Sequence, residues 1–246
     1  MLMRLALVAA CLAVPALAAA LPRAVVFEPV LTLPPSPGAP RVALTLDACD
    51  GAVDHRILDL LIARDIPATI FASGRWIARN PDTLALLLAH PALFEVEDHG
   101  ARHVPAIDVP MSLYGLHAAG SPAAVATEVT GGTAILIAAG APPPKWFRGA
   151  GAEYDASAEA QIHQLGYRLA GFSLNGDGGA SLSEAGTRAR FDMARDGAVI
   201  LAHLNQPHRP AGAGVAAGID DLLARGYHFV RLDTAFPVPG PASPPG

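Results

Sequence analysis

Between residues 41 and 232 the chain alternates two kinds of apolar pattern. Short runs of strand character fall at 41–46, 67–72, 94–97, 146–148, 167–174, 198–204 and 228–232. Stretches at helical spacing lie between them, at 55–64, 82–90, 122–139, 156–165, 182–195 and 215–225. In the first of these Ile57, Leu58, Leu61 and Ile62 share one face. Asn80-Pro81 marks a capped helix start. Gly131 and Gly132 weaken the helical pattern around them. Strands alternating with helices imply parallel strands joined by right-handed crossovers. Seven strands with no linker inside predict a single α/β domain, a distorted (β/α)7-type barrel, with an open doubly wound sheet as the alternative.

The flanks are different. Residues 1–20 carry one cation, Arg4, then an apolar run and small residues of A-x-A type, the pattern of a secretory signal peptide. Pro15 and the shortness of the run argue against a membrane span. Residues 21–40 read as a Pro-rich lead-in, 41–233 as the folded domain and 234–246 as a Pro/Gly-rich tail. The expected location is outside the cytoplasm, in the periplasm or the medium. Loss of the leader removes Cys11 and leaves Cys49 alone, so no intrachain disulfide can brace the mature fold. The whole chain has 246 residues, 52% hydrophobic, with a formal charge of −5. That is too apolar for a disordered chain, and no basic patch offers a nucleic-acid surface. A monomer is expected.

Polar groups gather after the strands: Asp47, Cys49 and Asp50 after the first, Asp98, His99 and His103 after the third, Arg148 at the fourth, Asn175 and Asp177 after the fifth, His203 at the sixth. In a β/α barrel the C-terminal strand ends converge on one mouth, where active sites are built. His99 and His103, four residues apart, share one face if they sit on a helical turn and can then hold one metal ion, with Asp98 orienting a ligand imidazole. Two carboxylates in Asp47-Ala-Cys-Asp50 can divide two roles, one ligating the ion and one taking a proton. His203, at the end of an apolar strand, is a candidate general acid, and Arg148 can hold Asp47 or Asp177 in register.

At these residues the chain resembles the polysaccharide deacetylase family, the NodB-homology group of carbohydrate esterases. Thr45-Leu-Asp-Ala-Cys-Asp-Gly51 is similar to its T-F-D-D-G strand end, His99 and His103 to its H-x-x-x-H pair, Arg148 to Tyr154 loosely to R-x-P-Y, and Leu201-Ala-His203 to L-x-H. The resemblance implies a metal-dependent hydrolase that removes the N-acetyl group from an N-acetylhexosamine-containing glycan. It assigns a divalent ion, Zn²⁺ by preference, to Asp50, His99 and His103. Asp47 becomes the base, His203 the acid, and Asp177 an aspartate tethered through Arg148, while Trp146 and Tyr154 contact substrate. The chain departs from the family pattern in two residues inserted between the first-motif aspartates, a tyrosine six rather than three residues after the arginine, and a missing fourth-motif tryptophan. Three alternatives follow: a small-molecule amide hydrolase on the same barrel, a glycan-binding protein with impaired turnover, and a cysteine hydrolase using Cys49. Neighbouring aspartates are expected to raise the thiol pKa and disfavour the last.

Overall fold

The computed structural model describes residues 25–237; the expected leader, the start of the lead-in and most of the tail lie outside them. In chain order the elements are β1 (Arg41–Ala48), α1 (His55–Ala63), β2 (Ala68–Ala72), α2 (Gly74–Arg79), α3 (Pro81–Leu88), β3 (Phe94–Asp98), β4 (Ser112–Leu113), β5 (Leu116–His117), α4 (Pro122–Ala138) and β6 (Trp146–Phe147). A 3₁₀ turn at Ala150–Ala152 follows, then α5 (Ala156–Gln164), β7 (Arg168–Leu169), β8 (Leu174–Asn175), α6 (Glu184–Asp192), β9 (Ala198–His203), α7 (Ala211–Ala224), β10 (His228–Val230) and α8 (Leu232–Ala235).

Eight of the strands form one curled parallel sheet, ordered β7-β6-β3-β2-β1-β9-β8, with β10 beside the start of β1. Helices cover its outer face, and the molecule is a single-domain distorted (β/α)7 barrel. The expected strand at 167–174 is broken in two. Its middle crosses between the sheet edges: Ala170 N–H donates to Phe147 O, and Ser173 N–H to Val199 O. The lead-in packs into this seam, with Phe172 N–H donating to Pro29 O and Thr32 bridging Ala198. Gly171 is required there, since a Cβ would sit 2.1 Å from Pro29 O. Position 234, expected to begin an unstructured tail, lies within α8.

Alternation along each strand decides which side chains reach the barrel interior. On β1, Val42, Leu44, Leu46 and Ala48 join the core under the helices, while Ala43, Thr45 and Asp47 face inward. On β9, Ile200 and Ala202 face the helices; Val199, Leu201 and His203 face inward. The lower interior holds two buried glutamates. Glu97 accepts from the N–H groups of Lys145 and Trp146 (2.7 and 2.8 Å), and Glu95 from Thr69 Oγ1 (2.7 Å) and Asp233 N–H (3.1 Å). Burial, against those donors and with Glu95 alongside, raises the Glu97 pKa to about 9.

On the outer layer α6 and α7 meet through small residues. A Cβ on Gly218 would lie 2.4 Å from the Phe191 ring, and one on Gly214 2.4 Å from Glu184 O. Gly218→Leu is therefore expected to destabilise the fold by about 2 kcal/mol through overpacking, or roughly 4–8 °C in Tm, although leucine is the better helix former. Thermal unfolding checks this; an unchanged or raised Tm would show that the two helices do not need this close approach.

Candidate active site

The site lies at the C-terminal ends of the strands, around a cavity of about 400 Å³ lined by Asp47, Cys49, His99, His103 and His203 together with Phe172, Asn175 and Leu201. Asp47 and His203 are direct Cα partners in the β1–β9 register, so the pleat points both into the mouth from adjacent strands.

Arg148 is fully buried and sits across the barrel from them. One guanidinium nitrogen donates to Asp47 Oδ1 and to Thr45 Oγ1, both at 2.9 Å. The other nitrogens donate to the carbonyls of Ala170 and Gly171, each at 3.0 Å, and the Phe71 ring lies 4.4 Å from the guanidinium carbon. A buried carboxylate is costly unless it is paired and hydrogen-bonded. Burial alone would raise the Asp47 pKa, but the charges of Arg148, His99 and His203 outweigh it and hold the carboxyl below its usual range. Arg148 touches Asp47 through one nitrogen only. Asp177, expected to be tethered through this arginine, instead accepts from His203 Nδ1 at 3.0 Å and from its backbone N–H at 2.7 Å. A carboxylate can only accept, so Nδ1 carries the proton and Nε2 is left for the cavity.

The same arginine also orients His99. His99 Nδ1 lies 2.5 Å from the Arg148 carbonyl, which can only accept, so Nδ1–H donates and Nε2 faces inward. There Nε2 lies 3.4 Å from Cys49 Sγ and 3.9 Å from Asp47 Oδ2. The His99 and His103 rings are 4.9 Å apart between centroids. The donor atoms of Cys49, His99 and His103 all lie within 4.8 Å of one another, the one such group of three among the described residues.

Residues 99–103 are not helical, and His103 has a left-handed φ of +59°. What holds this loop is Glu128 on α4, buried, whose Oε1 accepts the N–H groups of Arg102 (2.9 Å) and Val104 (3.0 Å). Gly74 N–H donates to Gly100 O from the other side (2.9 Å). A Cβ on Gly132 would fall 2.1 Å from Asp98 Oδ1, so the glycines that blur the helical pattern admit the loop.

Several expected roles move. Asp50 does not join the cluster: it accepts from Gly51 N–H (2.7 Å) and pairs with Arg79 (3.0 Å) and Arg75 (3.3 Å) of α2. β1 ends at Ala48: Cys49, next in the chain, still lines the cavity, whereas Asp50 lies in the turn that follows. Asp98 also faces outward, accepting from Gly100 N–H and Thr133 Oγ1, so it does not orient His99. Trp146 packs in the lower barrel against Phe236 and beneath Arg168, and Tyr154 is buried with its hydroxyl accepting from Gly149 N–H; neither lines the cavity. The Cys49 pKa is lowered, contrary to expectation. Burial raises it, but the His99 charge and hydrogen bonds from His103, His203 and His99 prevail, because its neighbours are imidazoles. His99 rises to about 9 against its burial, through Asp47 and Cys49, and His203 rises well above its ordinary value through Asp177.

Removing the arginine should expose how much the pair is worth. Arg148→Met leaves Asp47 buried without its partner, and a loss of about 3–5 kcal/mol is expected. Asp47→Asn in the same chain should recover part of that loss. Denaturant unfolding of the single and double variants measures the coupling; additive effects would mean that the pair contributes nothing specific.

A sequence model described as polysaccharide deacetylase matches residues 35–170, more than half of the chain. A search of curated proteins returns no match. Among solved structures, the peptidoglycan deacetylase PdaC from Bacillus subtilis is similar at a TM-score of 0.66 and 21% identity, over 81% of this chain and 91% of that one. A CE4 family pseudoenzyme from Bacillus anthracis gives 0.65 and 20%, over 81% of this chain and 66% of that one. The Xyl-CE4 domain of a multidomain xylanase from the hindgut metagenome of Trinervitermes trinervoides gives 0.65 and 22%, over 81% and 90%. With its sequence matched over that span and its barrel shared with these structures, the chain belongs to the polysaccharide deacetylase family.

Proposed function

We propose that the protein is an exported, metal-dependent deacetylase that hydrolyses the acetamide of an N-acetylhexosamine-containing glycan. The observation that carries this reading is the pairing of Asp47 and His203 across adjacent strands, facing the Cys49, His99 and His103 donors within one cavity. Similar structures include a peptidoglycan deacetylase and a family 4 carbohydrate esterase from Streptomyces lividans in complex with acetate. The N-terminal leader pattern supports export, and among the described residues no helix is long and apolar enough to cross a membrane.

The donor set suits a zinc-type ion. His99 turns Nε2 into the cavity from a ring fixed by its Nδ1–H, His103 adds a second imidazole, and Cys49 adds a sulfur whose lowered pKa favours the thiolate. Cys49 takes the ligand role that the family pattern gives to a carboxylate. When bound there, a divalent ion supplies a Lewis acid that acidifies water and polarises a carbonyl. The protein's own groups do the rest. Asp47 Oδ2, the oxygen that Arg148 leaves free, takes a proton from the attacking water. His203 Nε2 gives a proton to the departing nitrogen, and Asp177 holds the ring at Nδ1 so that Nε2 stays aimed at the cavity. Phe172 and Leu201 wall the site with apolar surface, which strengthens each of these charges.

Acetate release from N-acetylglucosamine oligomers by the full-length, zinc-loaded protein is the expected activity. Asp47→Asn should lose about 10²–10⁴-fold in kcat while keeping its metal. Cys49→Ala and His99→Ala should lose metal by elemental analysis while remaining folded, and Cys49→Asp should retain it. No acetate from any acetylated sugar would overturn the reading. Activity insensitive to chelators but abolished by thiol alkylation would point instead to Cys49 as a nucleophile.

A further inference from the structure

The cavity is walled on one side by an insertion outside the β/α repeat. Residues 112–117 form an antiparallel hairpin in which Ser112 pairs with His117 and Leu113 with Leu116. Its two-residue turn is Tyr114-Gly115, with φ of +50° and +80°. Positive φ at both central positions is the requirement of a type I′ turn, which selects Asn, Asp or Gly at the first of them. A tyrosine there is strained and gains little from packing, because it is 73% exposed. It is nevertheless fixed. Its hydroxyl donates to Glu153 Oε1 at 2.5 Å, and Tyr114 and Glu28 both line the cavity that holds Asp47, His99 and His203.

Residue 151 makes the room. Gly151 stands three residues after Arg148, and a Cβ there would meet Leu113 Cδ2 at 2.8 Å and the Tyr114 ring at 3.3 Å. The absent side chain lets the hairpin tip lean over the mouth. An exposed aromatic ring, tethered at its far end, strained in its backbone and set on the rim of a reactive cavity, is a binding surface, not a packing element.

We propose that Tyr114 is a substrate-positioning residue, a platform on which a pyranose ring of the glycan stacks while the acetamide lies in the cavity. This rests on the deacetylase reading for the identity of the ligand. The C–H face of a pyranose is complementary to the negative face of the phenol ring, and the carboxylates of Glu28 and Glu153 flank it as acceptors for sugar hydroxyls.

Tyr114→Asn separates a binding role from a structural one, because asparagine is the better turn residue. The variant should keep or raise Tm while its KM for the N-acetylglucosamine tetramer rises about three- to tenfold and kcat stays within about twofold. Tyr114→Phe, which keeps the ring and loses the tether, should show a smaller rise in KM. Calorimetric binding of the deacetylated tetramer should weaken in parallel, a readout that needs no turnover. A lowered Tm with unchanged KM and unchanged binding would overturn the proposal. Weakened binding in a protein whose wild type releases no acetate would remove the deacetylase reading and leave the platform in place.

Discussion

One buried ion pair, between Asp47 and Arg148, sets the terms for the rest of the site. Neither charge can be left alone in the barrel interior, so β1 and the β6 end must stay in register with each other across the mouth. The guanidinium is satisfied by Thr45, Ala170 and Gly171 as well as Asp47, which ties the broken strand at the seam to the same centre. The arginine's carbonyl then fixes the ring of His99. A single residue thus keeps one oxygen of the carboxylate occupied, leaves the other free, and decides which imidazole nitrogen faces it.

Much of this was legible in the sequence because a barrel's strand ends meet whatever their separation along the chain. Asp47, His99, Arg148 and His203 could be placed at the mouth from the positions of the apolar runs alone. For Asp98 and Trp146, on strands themselves, the displaced roles have one physical source, the two-residue period of a strand. Counting alternate positions from Thr45 and Asp47 reaches Cys49, and counting from Trp146 puts Arg148 and the tryptophan on the same inward face at different depths. The period therefore sends Asp98 outward and keeps Trp146 in the lower core, whatever chemistry their side chains could perform, while Asp50 lies in the turn beyond β1.

Other parts could not have been read from the chain. Glu128 lies mid-helix, and its capture of two loop amides depends on the approach of α4 to residues 100–104, which no local pattern announces. The seam at 170–173 is likewise decided by the lead-in, whose prolines look like a linker until Phe172 pairs with Pro29. The hairpin at 112–117 is short and carries no run of strand formers. Its only local signal is a glycine after a tyrosine, an unfavourable version of a turn pair.

These two groups of residues divide the work of the site. The side chains to which we assign the chemistry stand at strand ends, where register and alternation hold them within the tolerance that proton transfer needs. The remaining groups around the cavity come from segments added to the barrel: Glu28 from the lead-in, Tyr114 and Leu116 from the hairpin, Gly178 and Gly179 from the loop after β8. Such segments can change length and composition at little cost to the core, because they bury little of it. The proposed exchange of a carboxylate ligand for Cys49 is of a different kind. In that proposal the donor set changes within the rigid part, so the consequences would fall on which ion is held and not on which glycan is recognised. Sulfur favours softer ions over the hard, oxygen-preferring ones. On the proposed reading, metal choice and substrate choice are therefore separable, the first written at the end of β1 and the second in the insertions around the rim.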